Sequence, residues 1–461
     1  MSRAKGNLML SIIILAAGKG TRMNSALPKV LQPLADKPLL EHVISSAKSL
    51  EPDEIHIVHG FAGEMIQQHF ESNSVLIWAQ QKEQLGTGHA VMQAAKNISP
   101  ENKVLILYGD VPLVRLETLK ILIENHQNNE ISLLTAILPN ADGYGRIIRQ
   151  EGNVQAIIED SDASETEKNI NEINTGIMYC DAGQLNNWLS KLNNNNIKGE
   201  YYLTDIIDLA VKDGIKVNGI KAKKWEEVMG INDKKELAKA ERLHQENLAN
   251  DLMQKGVSLL DPSRLDIRGS LTCGKDVVID INVIFEGEVV IGNNVSIGPN
   301  NIIRNSKIHD NTIIHANCHI DDALIGKKST IGPYARLRSG TDLSENVKIG
   351  NFVEIKKSKV GKNSKINHLS YIGDANIGSL VNIGAGTITC NYDGANKHNT
   401  IIKEGAFIGS GVELVAPVVI EKNATIGAGS TISKSAPEES LTLERGRQTS
   451  HDKWRRPTKK I

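Results

Sequence analysis

Aliphatic residues recur at every sixth position through the second half of the chain: Ile291, Ile297 and Ile303; Ile308, Ile314 and Ile320; Ile325, Ile331, Leu337, Leu343, Ile349 and Ile355; Val360, Ile366 and Ile372; Ile377 and Ile383; then Ile402, Ile408, Leu414, Ile420, Ile426 and Ile432. A period of six fits neither the 3.6 of a helix nor the alternation of a half-buried strand, and hexapeptide repeats are the signature of a parallel β-helix. One aliphatic per hexapeptide then points into a narrow prism. The glycine that follows it in Ile291-Gly292, Ile297-Gly298, Ile331-Gly332, Ile349-Gly350, Ile383-Gly384, Ile408-Gly409 and Ile426-Gly427 is expected to allow the sharp corner. An aliphatic-rich sandwich would instead show alternating strands at a spacing of roughly 8 to 12 residues. The register breaks between Ile383 and Ile402, so Thr387 to Asn399, with Asn391-Tyr392-Asp393-Gly394, reads as a loop ejected from the coil, either a functional loop, as such interruptions commonly are, or a neutral insertion.

The first half follows other rules. Ser11 to Ala16, Glu54 to His59, Val75 to Ala79, Lys103 to Tyr108 and Ile131 to Leu138 read as buried strands, and Leu39 to Leu50, Gly88 to Lys96 and Leu116 to His126 carry helical spacing. That alternation specifies an open α/β sheet, largely parallel, whose ligands bind outside the carboxyl ends of the strands. Asp233 to Lys255 reads as a charged connecting helix ending at Gly256. The expected organisation is residues 1–234, a helical linker over 235–255, and the repeat with its tail over 256–461.

Composition narrows the function. With 53 Lys plus Arg against 54 Asp plus Glu the formal net charge is -1, so no global basic field recruits nucleic acid. Aromatics are 4% of the chain while glycine reaches 39 residues, which suits a narrow coil better than a large core. Cys180, Cys273, Cys318 and Cys390 lie far apart and read as reduced thiols of a cytoplasmic protein. Arg3 and Lys5 before the apolar run Leu8 to Ala17 imitate a signal peptide, but Gly18-Lys19-Gly20-Thr21-Arg22 stands where a small-residue cleavage site is expected. No apolar run approaches the ~20 residues of a membrane helix.

Leu15-Ala16-Ala17-Gly18-Lys19-Gly20-Thr21-Arg22-Met23, followed by Leu27-Pro28-Lys29, is a glycine-rich turn after a buried strand. Its backbone N–H groups suit phosphate oxygens, with Arg22 and Lys29 as counter-charges, yet Met23 replaces the third glycine of a dinucleotide fingerprint and no Walker G-K-[ST] is present. On these residues alone the turn serves structure or phosphate equally well. Asp110 follows the strand Val104 to Leu107 at the ligand edge, a natural Mg²⁺ position or the start of a turn before Pro112.

The motif resembles the signature of sugar-nucleotide pyrophosphorylases. Gln81 to Ala90, Tyr108-Gly109-Asp110-Val111-Pro112, Gly143-Tyr144-Gly145-Arg146, Glu159, Asn174-Thr175-Gly176 and Gly199 to Asp205 follow in that family's order. Together with the hexapeptide half, His368, Asn391 and Tyr392, the chain resembles the bacterial family of bifunctional N-acetylglucosamine-1-phosphate uridylyltransferases and glucosamine-1-phosphate N-acetyltransferases. The resemblance implies a mixed nucleotidyltransferase sheet, a connecting helix, a left-handed parallel β-helix, and a cytoplasmic homotrimer acting on small molecules. It implies that Leu15, Ala16, Ala17, Gly18, Lys29, Gln81, Gly86, Thr87, Tyr108 and Gly109 serve UTP, with Gly145, Glu159 and Asn174 on the sugar. Asp110 and Asn232 would hold Mg²⁺, and Arg22 and Lys29 would neutralise the triphosphate. In the second half it implies Arg338, Lys356, Tyr371 and Asn382 for glucosamine 1-phosphate, His368 as general base, and Ala385, Asn391, Tyr392, Ser410, Ala428 and Arg445 for acetyl-CoA. Glu444-Arg445-Gly446-Arg447 departs from the Arg-x-Pro type of tail in that family. The basic tail Trp454-Arg455-Arg456-Pro457, Lys459-Lys460 reads either as a cover for coenzyme A phosphates or as solvated chain. A single-activity pyrophosphorylase with a regulatory or oligomerising β-helix is the alternative.

Overall fold

The computed structural model describes residues 9–457 and 459, and the chain divides into two compact units, one through His244 and one from Gln245. Arg3, Lys5 and Lys460 lie outside the described residues; the apolar run after Arg3 and Lys5 is, from Leu10 on, a sheet strand. No helix among the described residues is long and apolar enough to cross a membrane.

Among the described residues of the first unit, nine strands form one mixed sheet. They are β1 (Leu10–Ala16), β2 (Glu54–His59), β3 (Leu76–Gln80), β4 (Lys103–Tyr108), β5 (Glu130–Ile137), β6 (Arg146–Gln150), β7 (Asn153–Ile158), β8 (Glu172–Asp181) and β9 (Lys216–Lys221). Their order is β9-β5-β8-β4-β1-β2-β3, with β6 joined to β8 and β7. β1 is central because both faces of it are apolar. Ile12, Ile14 and Ala16 enter one core with α1 (Leu39–Lys48) and α4 (Leu116–Glu124). Ile13 and Leu15 enter the other with α3 (Thr87–Ala95), α5 (Ala182–Leu189) and α6 (Asp205–Lys212). α2 (Gly63–His69) lies between β2 and β3.

Strands read from apolar runs stand within about a residue of their expected ends. β6 to β9 were not legible that way, since β8 runs antiparallel between β4 and β5 and carries the polar stretch Asn174-Thr175-Gly176. Its register shifts between Asn174 and Met178, a bulge within which Asn174 Oδ1 accepts from the Gly176 N–H at 2.9 Å. The charged segment is α7 (Lys234–Gln254). Asp233 caps it, its Oδ1 accepting from the N–H groups of Lys235 and Glu236 at 2.8 Å each.

The second unit is a parallel β-helix. On one face the register runs Ile331↔Ile349, Ile349↔Ile366 and Ile366↔Ile383, and all the repeat aliphatics are at most 4% exposed. Five-residue steps, such as Ile355 to Val360 and Ile372 to Ile377, recur in the repeat. They are the short side of a three-sided coil, so the residue above another is 17 or 18 positions away.

Three expectations need correction. The corner residue is not the glycine beside the aliphatic but the residue three after it, which takes positive φ: Asn300, Asn311, Asn317, Asn363, and even Tyr334 (φ 56) and Phe352 (φ 56). Asparagine predominates there because its short amide tolerates the left-handed region. The glycine beside the aliphatic answers to crowding instead, since a Cβ on Gly361 would lie 2.5 Å from the carbonyl carbon of Gly378 in the next coil. Second, each hexapeptide buries two positions, not one: two before the aliphatic stand Val295, Asn301, Ser329, Ala335, Ser364 and Thr387. The polar ones among them close on backbone, as when the N–H of Val381 donates to Ser364 Oγ at 3.0 Å and Asn301 Nδ2 donates to the Gly298 carbonyl at 2.7 Å. Third, the ejected loop is shorter than Thr387 to Asn399. Ile388–Cys390 is a coil strand paired with Glu413–Val415, and Thr389 occupies the aliphatic position at 1% exposure. A threonine in the core hides that side from a count of aliphatics; the insertion begins at Asn391 and ends before Thr400.

Gly361→Ala should therefore lower stability by about 1–3 kcal/mol through forced separation of adjacent coils. Lys359→Ala, at an exposed site nearby, should stay within about 0.5 kcal/mol. Urea unfolding of both variants checks this, and equal midpoints would remove crowding as the reason for the glycine.

Candidate functional site

The first site forms where β1, β2 and β4 end together, with Ala16 level with His59 and Leu15 level with Tyr108. A cleft of about 240 Å³ there is lined by Leu15, Ala16, Ala17, Gly18, Lys29, Gln81, Gly86, Thr87, Tyr108 and Asp110. Val30, Gln84, Ala90 and Glu200 complete the wall, and sequence reading gave none of these a role. Gly109 is not on the wall; its N–H donates to the Leu15 carbonyl at 2.9 Å and so ties β4 to β1. Gln81 is buried and its Nε2 donates to the Gly86 carbonyl at 3.1 Å. Gly86 has φ 109, and a Cβ there would meet the Tyr201 carbonyl at 2.6 Å, so glycine is needed where the chain turns into α3.

At the mouth of β4 the Lys29 ammonium is ion-paired with Asp110 and donates to Asn232 Oδ1 at 3.2 Å. Asn232 is free to do this because Asp233, not Asn232, caps α7, and the Ile231 N–H donates to the Asp110 carbonyl at 2.9 Å. Two oxygens from distant segments thus already surround one cation. Arg22 is not brought to this wall. It is exposed in the turn Thr21–Met23, whose buried anchor is Met23.

Gly145, Glu159 and Asn174 do come together. The Asn174 N–H donates to the Gly145 carbonyl at 2.8 Å, and Thr204 Oγ1 donates to Glu159 Oε1 at 3.0 Å. They adjoin the cleft at Tyr108, whose phenol is held well above its ordinary range by burial and then by the charges of Asp110 and Glu159. Gly176 leaves room for that ring.

The second site is a set of vertical columns on the β-helix. Asn351, His368, Ala385, Ser410 and Ala428 each stand two residues after a repeat aliphatic, in successive coils. His368 is exposed, and its Nδ1 is 2.9 Å from Asn351 Oδ1. Arg445 Nη1 donates to the Ala428 carbonyl at 3.4 Å, which brings the tail to the same column. Across the adjoining face, Arg338 and Lys356 line a cavity of about 220 Å³ with His319 and Arg336, and Arg338 is ion-paired with Glu354 at 2.7 Å. Tyr371 lies between these columns, beside Glu354 in register, and Asn382 pairs with Lys365.

The insertion starts from the far edge of that face. Asn391 Nδ2 donates to Asp374 Oδ2, and Tyr392 lies under the Lys397 ammonium, 4.2 Å from the ring centroid. Asp393 shapes the loop by accepting from the N–H groups of Ala395 and Asn396 and from His398; those bonds hold its carboxyl well below the usual range. Asn351 and Glu354 were missed by sequence reading. Their signal was available: each stands 17 residues before a candidate, His368 and Tyr371, which is the coil period.

None of the four cysteines is disulfide-bonded. Burial pushes the thiols of Cys180 up to about 12 and of Cys273 and Cys318 up to about 11, which disfavours a nucleophilic thiolate.

Residues 12–148 match the MobA-like NTP transferase domain, 267–367 the GMPPB C-terminal domain, and 399–434 the bacterial transferase hexapeptide (six repeats). The bifunctional protein GlmU of Ruthia magnifica subsp. Calyptogena magnifica is 55% identical over 448 residues, 97% of this chain and 99% of its own length. That of Nitrosomonas europaea is 53% identical over 455 residues, and that of Ralstonia pickettii 51% over 451, each covering 98% of this chain and 99% of the relative.

The acidic group beside the Glu159 pocket gives a prediction. Burial, then Asp208, Glu159 and Asp162, raise the Asp205 carboxyl from 3.8 to about 6. The folded chain therefore holds this proton more tightly than the unfolded one, and the stabilisation, present below about pH 4, is lost as pH rises through about 6. Asp205→Asn should gain on the parent across that window by on the order of 1 kcal/mol, discounted for half-burial. Urea midpoints at pH 4 and pH 8 measure it; a constant difference between the two would refute the assignment.

Proposed function

We infer the function from one premise: the chain belongs to the bifunctional GlmU family, its relatives being 50–55% identical over 97–98% of its length. It is a bifunctional transferase of UDP-N-acetylglucosamine synthesis, a precursor of peptidoglycan and lipopolysaccharide. It N-acetylates glucosamine 1-phosphate with acetyl-CoA, then transfers uridylyl from UTP to N-acetylglucosamine 1-phosphate with release of diphosphate. The observation that supports this division best is the presence, in one chain, of a phosphate-edge cleft around Lys29, Asp110 and Asn232 and of a separate imidazole column around His368. The working division remains 1–234 for uridylyl transfer, 235–255 as connecting helix and 256–461 for acetyl transfer.

In the first reaction the amine of glucosamine 1-phosphate attacks the thioester carbonyl carbon, a C–N bond forms, and the C–S bond breaks. His368 takes the amine proton, which then satisfies the leaving thiolate. Arg338 and Lys356 supply two fixed positive charges for the sugar phosphate, with Tyr371 and Asn382 on the sugar. The small residues Ala385, Ser410 and Ala428 leave the column beyond His368 open for acetyl-CoA, flanked by Asn391, Tyr392 and Arg445.

In the second reaction a phosphate oxygen attacks the α-phosphorus of UTP, so no general base is needed and positioning with charge neutralisation suffices. Leu15 to Gly18, Gln81, Gly86 and Thr87 line the nucleotide's place, while Gly145, Glu159 and Asn174 hold the sugar. Lys29 is the counter-charge on the wall; Arg22, exposed in its turn, serves only from outside it. Asp110 and Asn232 suit Mg²⁺, because both present oxygens to a cation already. Among the described residues no cluster of three or more His, Cys, Asp or Glu forms a metal cage, which fits a site completed by phosphates and water. Mg²⁺, when bound, neutralises phosphate charge.

We further assign a cytoplasmic homotrimer. Tyr334 and Phe352 stack at 5.3 Å on one corner of the coil, and both are about half exposed with Leu369 next in the column. Such an apolar edge suits subunit packing. Light scattering should give about 150 kDa, three times the 50.3 kDa chain. A fully acetylating monomer would overturn it.

Mass spectrometry of the purified protein with glucosamine 1-phosphate, acetyl-CoA, UTP and Mg²⁺ should show UDP-N-acetylglucosamine. Product formed only from sugar phosphate acetylated beforehand would restore the single-activity reading. Asp110→Ala should reduce uridylyl transfer by at least about 100-fold and leave acetyl transfer within about twofold. Parallel loss of both in a folded variant would contradict two separate sites.

A further inference from the structure

We propose that Asn351 is a positioning residue for acetyl transfer: its side-chain carbonyl selects the His368 tautomer that leaves Nε2 free to take the amine proton. This rests on the reading of His368 as the base.

Asn351 stands directly beside His368 in the strand register, one coil earlier, and its Oδ1 is 2.9 Å from His368 Nδ1. An amide oxygen can only accept, so Nδ1 carries the proton, and the neutral ring keeps its lone pair on Nε2. The backbone that bears the ring is fixed on both sides. The Leu369 N–H donates to the Asn351 carbonyl at 3.0 Å, and Ser370 Oγ donates to the His368 carbonyl at 2.8 Å. In the next coil the same column position is Ala385, whose methyl group leaves the far edge of the ring uncovered.

The choice of an amide has a chemical reason. A carboxylate at Asn351 would also select the tautomer, but it would stabilise the imidazolium and keep the base protonated to higher pH. By strand register, the charged and titratable residues on the strands of the ring's own face are Lys348 and Lys365, and on the adjoining one Glu354 and Tyr371. Glu354 is engaged by Arg338. Among the described residues no carboxylate is bonded to His368, so the neutral amide sets its orientation without that penalty.

Acetyl-transfer kinetics from about pH 5.5 to 9 on the full-length parent, Asn351→Ala, Asn351→Asp and His368→Ala proteins test this, with thermal melts as the folding control. Asn351→Ala should lower kcat about 10- to 100-fold while KM for glucosamine 1-phosphate stays within about threefold. Asn351→Asp, which is isosteric and keeps the proposal testable if the alanine variant unfolds, should recover kcat at high pH. It should also move the acid limb of the profile upward by about one pH unit. An acid limb unmoved in Asn351→Asp, or parental kcat in Asn351→Ala, overturns the positioning role. Acetylation within about threefold of the parent in His368→Ala overturns the base itself, whereas an inactive His368→Ala with silent Asn351 variants sinks only the positioning role.

Discussion

A chain that climbs one strand spacing per turn must place each residue over the one 17 or 18 positions earlier, and the second unit depends on that stacking. Neighbouring strands lie about 4.8 Å apart, so backbone hydrogen bonds between coils fix the climb and leave no room for a Cβ where two coils touch. The prism interior is equally strict: most sides bury one aliphatic and, two positions before it, a second compact side chain such as valine, alanine, serine or threonine. Chemistry has only the outward positions left to it. Those positions fall into columns, which is how His368 and Ser410, 42 residues apart in sequence, come to stand two coils from each other.

The first unit meets a different constraint with a similar result. Parallel strands bring their carboxyl ends to one edge, and the loops after β1 and β4 must share it. Asp110 is delivered by β4, Lys29 by the turn after β1, and Asn232 by the start of α7, so three distant segments converge on one ion pair. A buried charge left without a partner is costly, and Lys29 with Asp110, each less than a fifth exposed, satisfies both charges.

How far the sequence disclosed this depends on whether a pattern survives locally. The period of six was visible because an aliphatic marks every side, and the β1 to β5 strands because apolar runs mark them. Thr389 broke the count at the one side where a threonine took the core position, and the loop's start was misplaced by four residues. β8 escaped because a strand bulged at Thr175-Gly176 carries polar residues where alternation is expected. Among site residues, Asp110 was readable from its place after a strand, since strand ends are where such sheets bind. Asn232 was not, because an asparagine before a helix usually caps it, and only the structure shows Asp233 taking the cap. Arg22 reads as a phosphate ligand from its neighbours in sequence; in the structure it is exposed in the turn that Met23 anchors.

On the proposed roles, the two sites meet the same group, a sugar phosphate, with different means, and the difference follows from the charge each must hold. On those roles a monoester dianion at the acetyl-transfer site is met by side-chain cations, and Arg338 and Lys356 stand one coil apart in a cavity that Asp321 also lines. A triphosphate approached by a second phosphate brings far more negative charge into one cleft than Lys29 alone can offset. An oxygen pair able to hold a divalent cation answers that excess, and Asp110 with Asn232 is such a pair. The acetyl site has the converse need. Its nucleophile is an amine that must give up a proton, so the groups that matter there are an imidazole and the neutral amide beside it. On this proposal, oxygens suited to a divalent cation in one unit and an oriented histidine in the other are two solutions to one substrate, separated by which of its atoms reacts.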